Sequence, residues 1–135
     1  MQKFVEDLLF KDECYKIIGL CMKVHSILGK GFKEIVYKDA LEVELLKNQI
    51  PFEREKQFKI IYEGEELKRK FNADFLVYNS IVLEIKAQYI MPSGAFRQTL
   101  NYLKASEVKL GIMINFGEDR LKFQRVICSD IKQKC

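Results

Sequence analysis

The sequence predicts an α/β domain in which a mixed β-sheet is flanked by helices, and three observations carry that prediction. Up to Pro51 the apolar residues recur at helical spacing. From Phe52 onward the repeat falls to about two residues, the period of strands. A further helical stretch then separates two strongly apolar runs, so the strands on either side of it can lie side by side through a crossover.

A first helix is expected over Glu13 to Leu28, with Ile17, Leu20, Cys21, Val24, Ile27 and Leu28 along its apolar face, and Gly29-Lys30-Gly31 ends it. A second follows from Phe32 to Asn48. Its face of Ile35, Ala40, Leu41, Val43, Leu45 and Leu46 is broad, which predicts burial on more than one side. Pro51 forces an extended start. Phe58, Ile60 and Tyr62 alternate imperfectly with Gln57, Lys59 and Ile61; Glu63-Gly64-Glu65 reads as a hairpin turn, and Glu66 to Val77 as the return. After a turn at Tyr78-Asn79-Ser80, Ile81 to Ala87 is apolar enough for a central strand. Gly94 to Lys104 is helical, with Phe96, Leu100 and Leu103 inward. Lys109 to Phe116 is a strand, Gly117-Glu118-Asp119 a turn, and Leu121 to Cys128 the last strand. The order is α-α-β-β-β-α-β-β, read as a single domain over residues 1–135 with helices on both faces of the sheet.

Composition narrows the class. At 48% hydrophobic and 31% charged the chain has a globular profile. A net charge of +4, from 23 bases against 19 acids, permits a polyanionic partner without demanding one, because the signs are interspersed. The first seven residues carry acids ahead of any apolar stretch, unlike a signal peptide. No apolar run approaches the roughly 20 residues that span a bilayer, so the expected location is cytoplasmic, with no membrane partner. Cys14, Cys21, Cys128 and Cys135 form no Cys-x-x-Cys. A metal or iron–sulfur site joining the chain ends is one reading of them, and buried reduced thiols the favoured one.

The chemistry concentrates at Asp74, Glu84 and Lys86. An Asp, a gap, then Glu-x-Lys on an apolar strand is the pattern of a magnesium-dependent phosphodiester-cleaving site. Two carboxylates can hold a hard divalent cation, and a neighbouring Lys can orient the attacking water. Glu84 and Lys86, two apart on a strand, share a face. The turn decides whether Asp74 joins them. If Tyr78-Asn79-Ser80 is the loop, Val77 pairs with Ile81 and Asp74 falls opposite Glu84; if the loop is Asn79-Ser80 alone, Asp74 falls opposite Ile85 and faces away. A site of this kind gathers acidic side chains around one cation at the sheet's edge. Glu34 and Tyr37, three apart on the second helix, follow Gly31, which suits a tight helix entry. Gln98 and Tyr102 share a helix face, where an amide and a hydroxyl can orient carboxylates or a phosphate. His25 reads as a core or capping residue. Lys56, Tyr62, Lys68 and Arg69 read as a solvated strand face, with a nucleic-acid groove as the alternative.

Taken together, these residues resemble a known family. Gly31-x-x-Glu34-x-x-Tyr37 matches the signature of the GxxExxY proteins, members of the PD-(D/E)XK nuclease superfamily. The resemblance runs from about Cys14 to Val126 and includes Val24-His25-Ser26-Ile27-Leu28-Gly29, Leu83-Glu84-Ile85-Lys86-Ala87, Gln98-x-Leu100-Asn101-Tyr102-Leu103 and Ile114-Asn115-Phe116-Gly117. Two positions depart from the pattern: Asn72-Ala73 precedes Asp74 where Pro is common, and Ala95 stands where many relatives carry His.

The resemblance implies a restriction-endonuclease-like PD-(D/E)XK core and a metal-dependent nuclease acting on DNA rather than RNA. Asp74, Glu84, the Ile85 carbonyl and Glu34 would hold Mg²⁺ or Mn²⁺, and Lys86 and Gln98 would complete the catalytic set. Tyr102, Tyr37, Gly31 and His25 would support it. Nucleic acid is the implied partner, with a homodimer or a protein partner also compatible. The rival reading is a non-cleaving module that binds nucleic acid or protein on the same fold.

Overall fold

Pro51 divides the structure as it divides the sequence. The computed structural model describes residues 9–128; the acidic lead at residues 1–7 and Cys135 lie outside them. Ahead of Pro51 stand helices α1 (Lys11–Leu28) and α2 (Glu34–Lys47). Behind it come β1 (Phe52–Tyr62), β2 (Glu65–Val77), β3 (Ile81–Lys86), α3 (Ala95–Ser106), β4 (Leu110–Asn115) and β5 (Lys122–Ile127). The five strands form one sheet in the order β1-β2-β3-β4-β5. β1, β2 and β3 form an antiparallel meander, β4 lies parallel to β3 through the α3 crossover, and β5 returns antiparallel. No helix among the described residues is long and apolar enough to cross a membrane.

The sheet carries a core on each face. α1 and α2 cover one face through Ile17, Cys21, Tyr37, Leu41 and Leu45 against Phe75, Leu83, Ile85 and Ile112. α3 covers the other through Ala95 and Leu103 against Ala73, Leu76, Val82 and Met113. The buried stripe of α1 is Cys14, Ile17, Cys21 and Val24, so Ile27 points outward. In α2 the buried residues are Tyr37, Lys38, Leu41, Glu44 and Leu45, while Ile35, Val43 and Leu46 are exposed, narrower than the broad face expected. In α3 the buried residues are Ala95, Thr99 and Leu103 rather than Phe96 and Leu100. The reason is Gly111 of β4: a Cβ there would lie 3.3 Å from Leu103 Cδ2 and 3.4 Å from Thr99 Cγ2. The helix sits too close to the sheet for a Phe to be interposed.

Cys14 and Cys21 belong to the core under α1, and Cys128 to the core under α3. The sheet therefore separates these thiols, and among the described residues they do not build a common cluster.

The β1–β2 ribbon turns over partway along. Arg54 pairs with Phe75 and Lys56 with Ala73, but Glu55, at φ 56°, and Asp74 between them drop out of the ladder. On one side of this break Phe52 and Phe75 pack edge to face, 5.9 Å apart, in the α1/α2 core. On the other side Phe58 and Phe71 stack at 5.2 Å, and Phe71 lies 4.1 Å from the Tyr102 ring of α3. Phe71, Ala73, Phe75 and Val77 are evenly spaced and would share one face of a regular strand; the break at Glu55 and Asp74 moves the last two to the opposite face. Beyond Phe71, residues 61–70 stand exposed as a two-stranded arm that includes Tyr62, Lys68 and Arg69.

The far end of β3 is clamped. The Phe116 amide donates to the Lys86 carbonyl at 2.8 Å. Asn115, 1% exposed, accepts from the Gln88 amide and donates back to the Gln88 carbonyl, at 3.0 and 2.9 Å. Gly117 leaves no room for a side chain, since a Cβ would lie 2.5 Å from the Gln88 carbonyl oxygen and 2.6 Å from the Ala87 carbonyl carbon. Gly117→Ala should therefore push the segment after Lys86 off its strand and lower stability by about 1–3 kcal/mol, the usual range for overpacking. Urea denaturation checks this, and an unchanged midpoint would mean that the clamp yields freely.

Candidate active site

The site starts at the turn between β2 and β3. Tyr78 and Asn79 adopt left-handed φ of 56° and 55°, and the Ser80 amide closes onto the Val77 carbonyl at 3.0 Å. The loop thus has three residues, with Val77 opposite Ile81, Leu76 opposite Val82 and Phe75 opposite Leu83. The ladder stops there, and the next residues outward are Asp74 and Glu84. This is the register under which the two acids neighbour each other. They stand where two interior strands part, not at an edge of the sheet as the sequence suggested.

Asp74 fills the parting. Its Oδ2 accepts the Ile85 backbone N–H at 2.6 Å, and its Oδ1 accepts from the Lys38 ammonium at 3.0 Å. Lys38, 8% exposed, also pairs with Glu55, the β1 residue that left the ladder opposite Asp74. Glu84 is 7% exposed, and its Oε2 is buried without a hydrogen-bond partner. Burial first, and the charge of Asp74 second, push its carboxyl up to about 8, against the opposing pull of a backbone hydrogen bond from Asp74 and the Lys86 and Lys38 charges. Lys86, half-buried, ends β3.

Glu34 begins α2. Burial and the Asp74 charge raise its carboxyl, Lys86 and Lys38 lower it, and Glu55 raises it again. Asp74, Lys38 and Lys86 are therefore the charges that both Glu34 and Glu84 feel. The Gly-x-x-Glu-x-x-Tyr spacing explains the placement. Gly31 takes φ 111°, open to glycine. The Tyr37 hydroxyl reaches back to donate to the Gly29 carbonyl at 2.6 Å and accepts the Phe32 amide at 3.2 Å. The ring beneath stacks on Phe116 at 4.7 Å. Tyr37 thus staples the interhelical loop, and with it the first turn of α2 that carries Glu34.

The remaining sequence candidates lie around this centre. Tyr102 is half-buried against Phe71, and its hydroxyl is pushed up by burial and by the Glu84 charge, which makes it a neighbour of Glu84. Gln98, one turn earlier on α3, is exposed. The Nε2 of His25 lies 3.0 Å from the Glu118 carbonyl oxygen, and Glu118 in turn accepts from Asn115 at 3.0 Å. His25 therefore braces the clamp on β3 from α1. Lys38 and Glu55 are the charged members that sequence reasoning missed. The available signal was the Glu34–Lys38 spacing of four, which puts the lysine on the same face of α2 as the acid.

Among the described residues no three His, Cys, Asp or Glu side chains stand together as a ready-made metal cage. The charge balance nonetheless fits a divalent cation. Glu34, Glu55, Asp74 and Glu84 face Lys38 and Lys86, a formal excess of two negative charges when all are ionised. The orphaned Glu84 oxygen is a buried acceptor without a donor.

Comparison with known proteins identifies the family and the fold. A sequence model of the PD-(D/E)XK nuclease superfamily matches residues 11–126. The chain belongs to that superfamily. Its five-stranded mixed sheet with flanking helices is the PD-(D/E)XK-like fold expected from the sequence. The crystal structure of SSO0001 is similar at a TM-score of 0.55 and 23% identity, over 89% of this chain. This chain spans 61% of the length of that one, and the likeness concerns the fold. No curated protein matches the chain.

Two measurements probe this charged cluster without substrate. Burial pushes the Glu84 carboxyl up to about 8 in the folded protein, from 4.5 in an open chain. Between those values the folded protein retains a proton that the unfolded chain has released, so stability should fall as pH rises through that window. Denaturation in a chelator should show the decline in the wild type and its loss in Glu84→Gln; equal slopes would contradict the assignment. Tyr37→Phe should cost about 1–3 kcal/mol by stranding the Gly29 carbonyl and the Phe32 amide, read from the denaturation midpoint.

Proposed function

We propose that the chain is a metal-dependent nuclease of the GxxExxY type that hydrolyses phosphodiester bonds in DNA rather than RNA. One observation carries the reading: Asp74, locked to the Ile85 amide at 2.6 Å, lies beside a buried Glu84 whose Oε2 has no donor. Asp74, Glu84, the Ile85 carbonyl and Glu34 would hold Mg²⁺ or Mn²⁺. Such an ion, once bound, makes water a stronger nucleophile and offsets charge on the phosphoryl oxygens.

The chain's own groups do the rest. Lys86, two residues from Glu84 on the same strand face, directs its ammonium at the attacking water and at the charge that grows on the phosphoryl group. The buried setting strengthens both effects. Glu84 would have to be ionised to hold a cation, which would tie activity to pH. Tyr102 holds the Glu84 side of the site, and Gln98 meets the substrate from the exposed flank of α3. A cleft of about 470 Å³ beyond the end of β3 is lined by Tyr89, Ile90, Glu118, Asp119, Arg120 and Lys122, two acids and two bases that leave it without net charge.

Cleavage of plasmid and single-stranded DNA, with RNA in parallel, tests the proposal in Mg²⁺, in Mn²⁺ and in chelator. Wild-type protein should cut DNA only with a divalent cation. Lys86→Ala should lose about 10²–10³-fold in rate, as expected when one preorganised electrostatic group is removed. Equal rates for the two proteins, or cutting in chelator, would overturn the reading.

A further inference from the structure

Lys38 has no part in the mechanism above, yet its surroundings require an explanation. It is 8% exposed, on the second turn of α2, with an ammonium shared between two carboxylates. Its partners are unlike each other. Asp74 is 14% exposed and faces the site; Glu55 is 47% exposed and faces out of it. Glu55 holds that outward position because it has left the β1–β2 ladder with a left-handed backbone. A buried ammonium is costly unless it is paired, and here it has an inner and an outer partner.

The oxygen it takes matters. Asp74 Oδ2 is committed to the Ile85 amide, so Oδ1 is the oxygen left to meet a cation, and the Lys38 ammonium lies 3.0 Å from it. We infer that Lys38 is a displaceable counter-ion of the metal site. With no divalent cation bound, its ammonium neutralises Asp74 and holds the acidic cluster together. When a cation binds, Lys38 releases Asp74 Oδ1 and remains on Glu55. A lysine suits this role, being a single charge on a flexible four-carbon stem that can change partners by rotating about its bonds. The arrangement stabilises the cation-free fold and weakens metal binding, because each cation must displace an ammonium. The inference rests on the metal-dependent reading of the site.

Calorimetric titration with Mn²⁺, without nucleic acid, tests it in the wild type, Lys38→Met and Lys38→Arg. Lys38→Met should bind Mn²⁺ about tenfold more tightly, the ratio that follows from removing one modest competing ion pair. Lys38→Arg, which keeps the charge, should remain near wild type. In chelator Lys38→Met should melt below wild type, and Mn²⁺ should raise its Tm by more. If Lys38→Met does not fold, Lys38→Gln takes its place with the same expectation, since its amide can still bridge Asp74 and Glu55. A fixed strut would behave differently: the neutral variants would lose stability equally with and without Mn²⁺, and their affinity would be unchanged or weaker, which overturns the inference. If every protein, wild type included, fails to bind Mn²⁺ at millimolar concentration, the metal reading falls and the inference falls with it.

Discussion

A hydrogen bond of 2.6 Å from the Ile85 amide to Asp74 Oδ2 takes over where the β2–β3 ladder ends. Strands that part leave backbone donors without acceptors, and a buried amide must find one. Here the acceptor is a side chain, so the requirement that completes the sheet also fixes a carboxylate in the gap. The remaining charges of the site are arranged around that fixed point. Glu84 follows from the register, Lys38 neutralises the other oxygen, and Glu34 feels the same charge from the start of α2.

The two halves of the site share a reference residue. Phe116 carries the Tyr37 ring on its face at 4.7 Å and bonds through its amide to the Lys86 carbonyl at 2.8 Å. Tyr37 sets the loop before Glu34, and Lys86 is the ammonium of the strand. The acid of the helix and the base of the sheet are thus positioned against one buried phenyl ring. This explains why Gly-x-x-Glu-x-x-Tyr and Asn-Phe-Gly, far apart in the chain, appear as separate fragments of one pattern: both serve the same contact.

The order of elements was legible because each boundary carries a local signal: glycines at residues 29 and 31, Pro51, and the changes of period. The register of Asp74 and Glu84 was legible only as two alternatives, since a loop of two or three residues inverts the outcome and the residues Tyr78-Asn79-Ser80 permit either. What could not be read was long-range. The ribbon turns over at Glu55 and Asp74, yet Phe71, Ala73, Phe75 and Val77 keep an unbroken alternation in the sequence. The inner face of α3 is set by the absence of a side chain at Gly111 on a different element, so the larger Phe96 misled and the smaller Ala95 and Thr99 did not stand out. Lys38 carried no signal of its pairing because its partners lie 17 and 36 residues away.

The separation of the thiols by the sheet has a redox consequence. Cys14 and Cys21 lie seven residues apart on one helix, roughly 10 Å along its axis at 1.5 Å per residue, beyond the reach of a disulfide. Cys128 lies across the sheet from both. Burial pushes the Cys21 thiol up to about 12, far from the thiolate form that oxidants attack. None of these three thiols can cross-link to another while the fold is intact, so a disulfide among them has to wait for the layers to open.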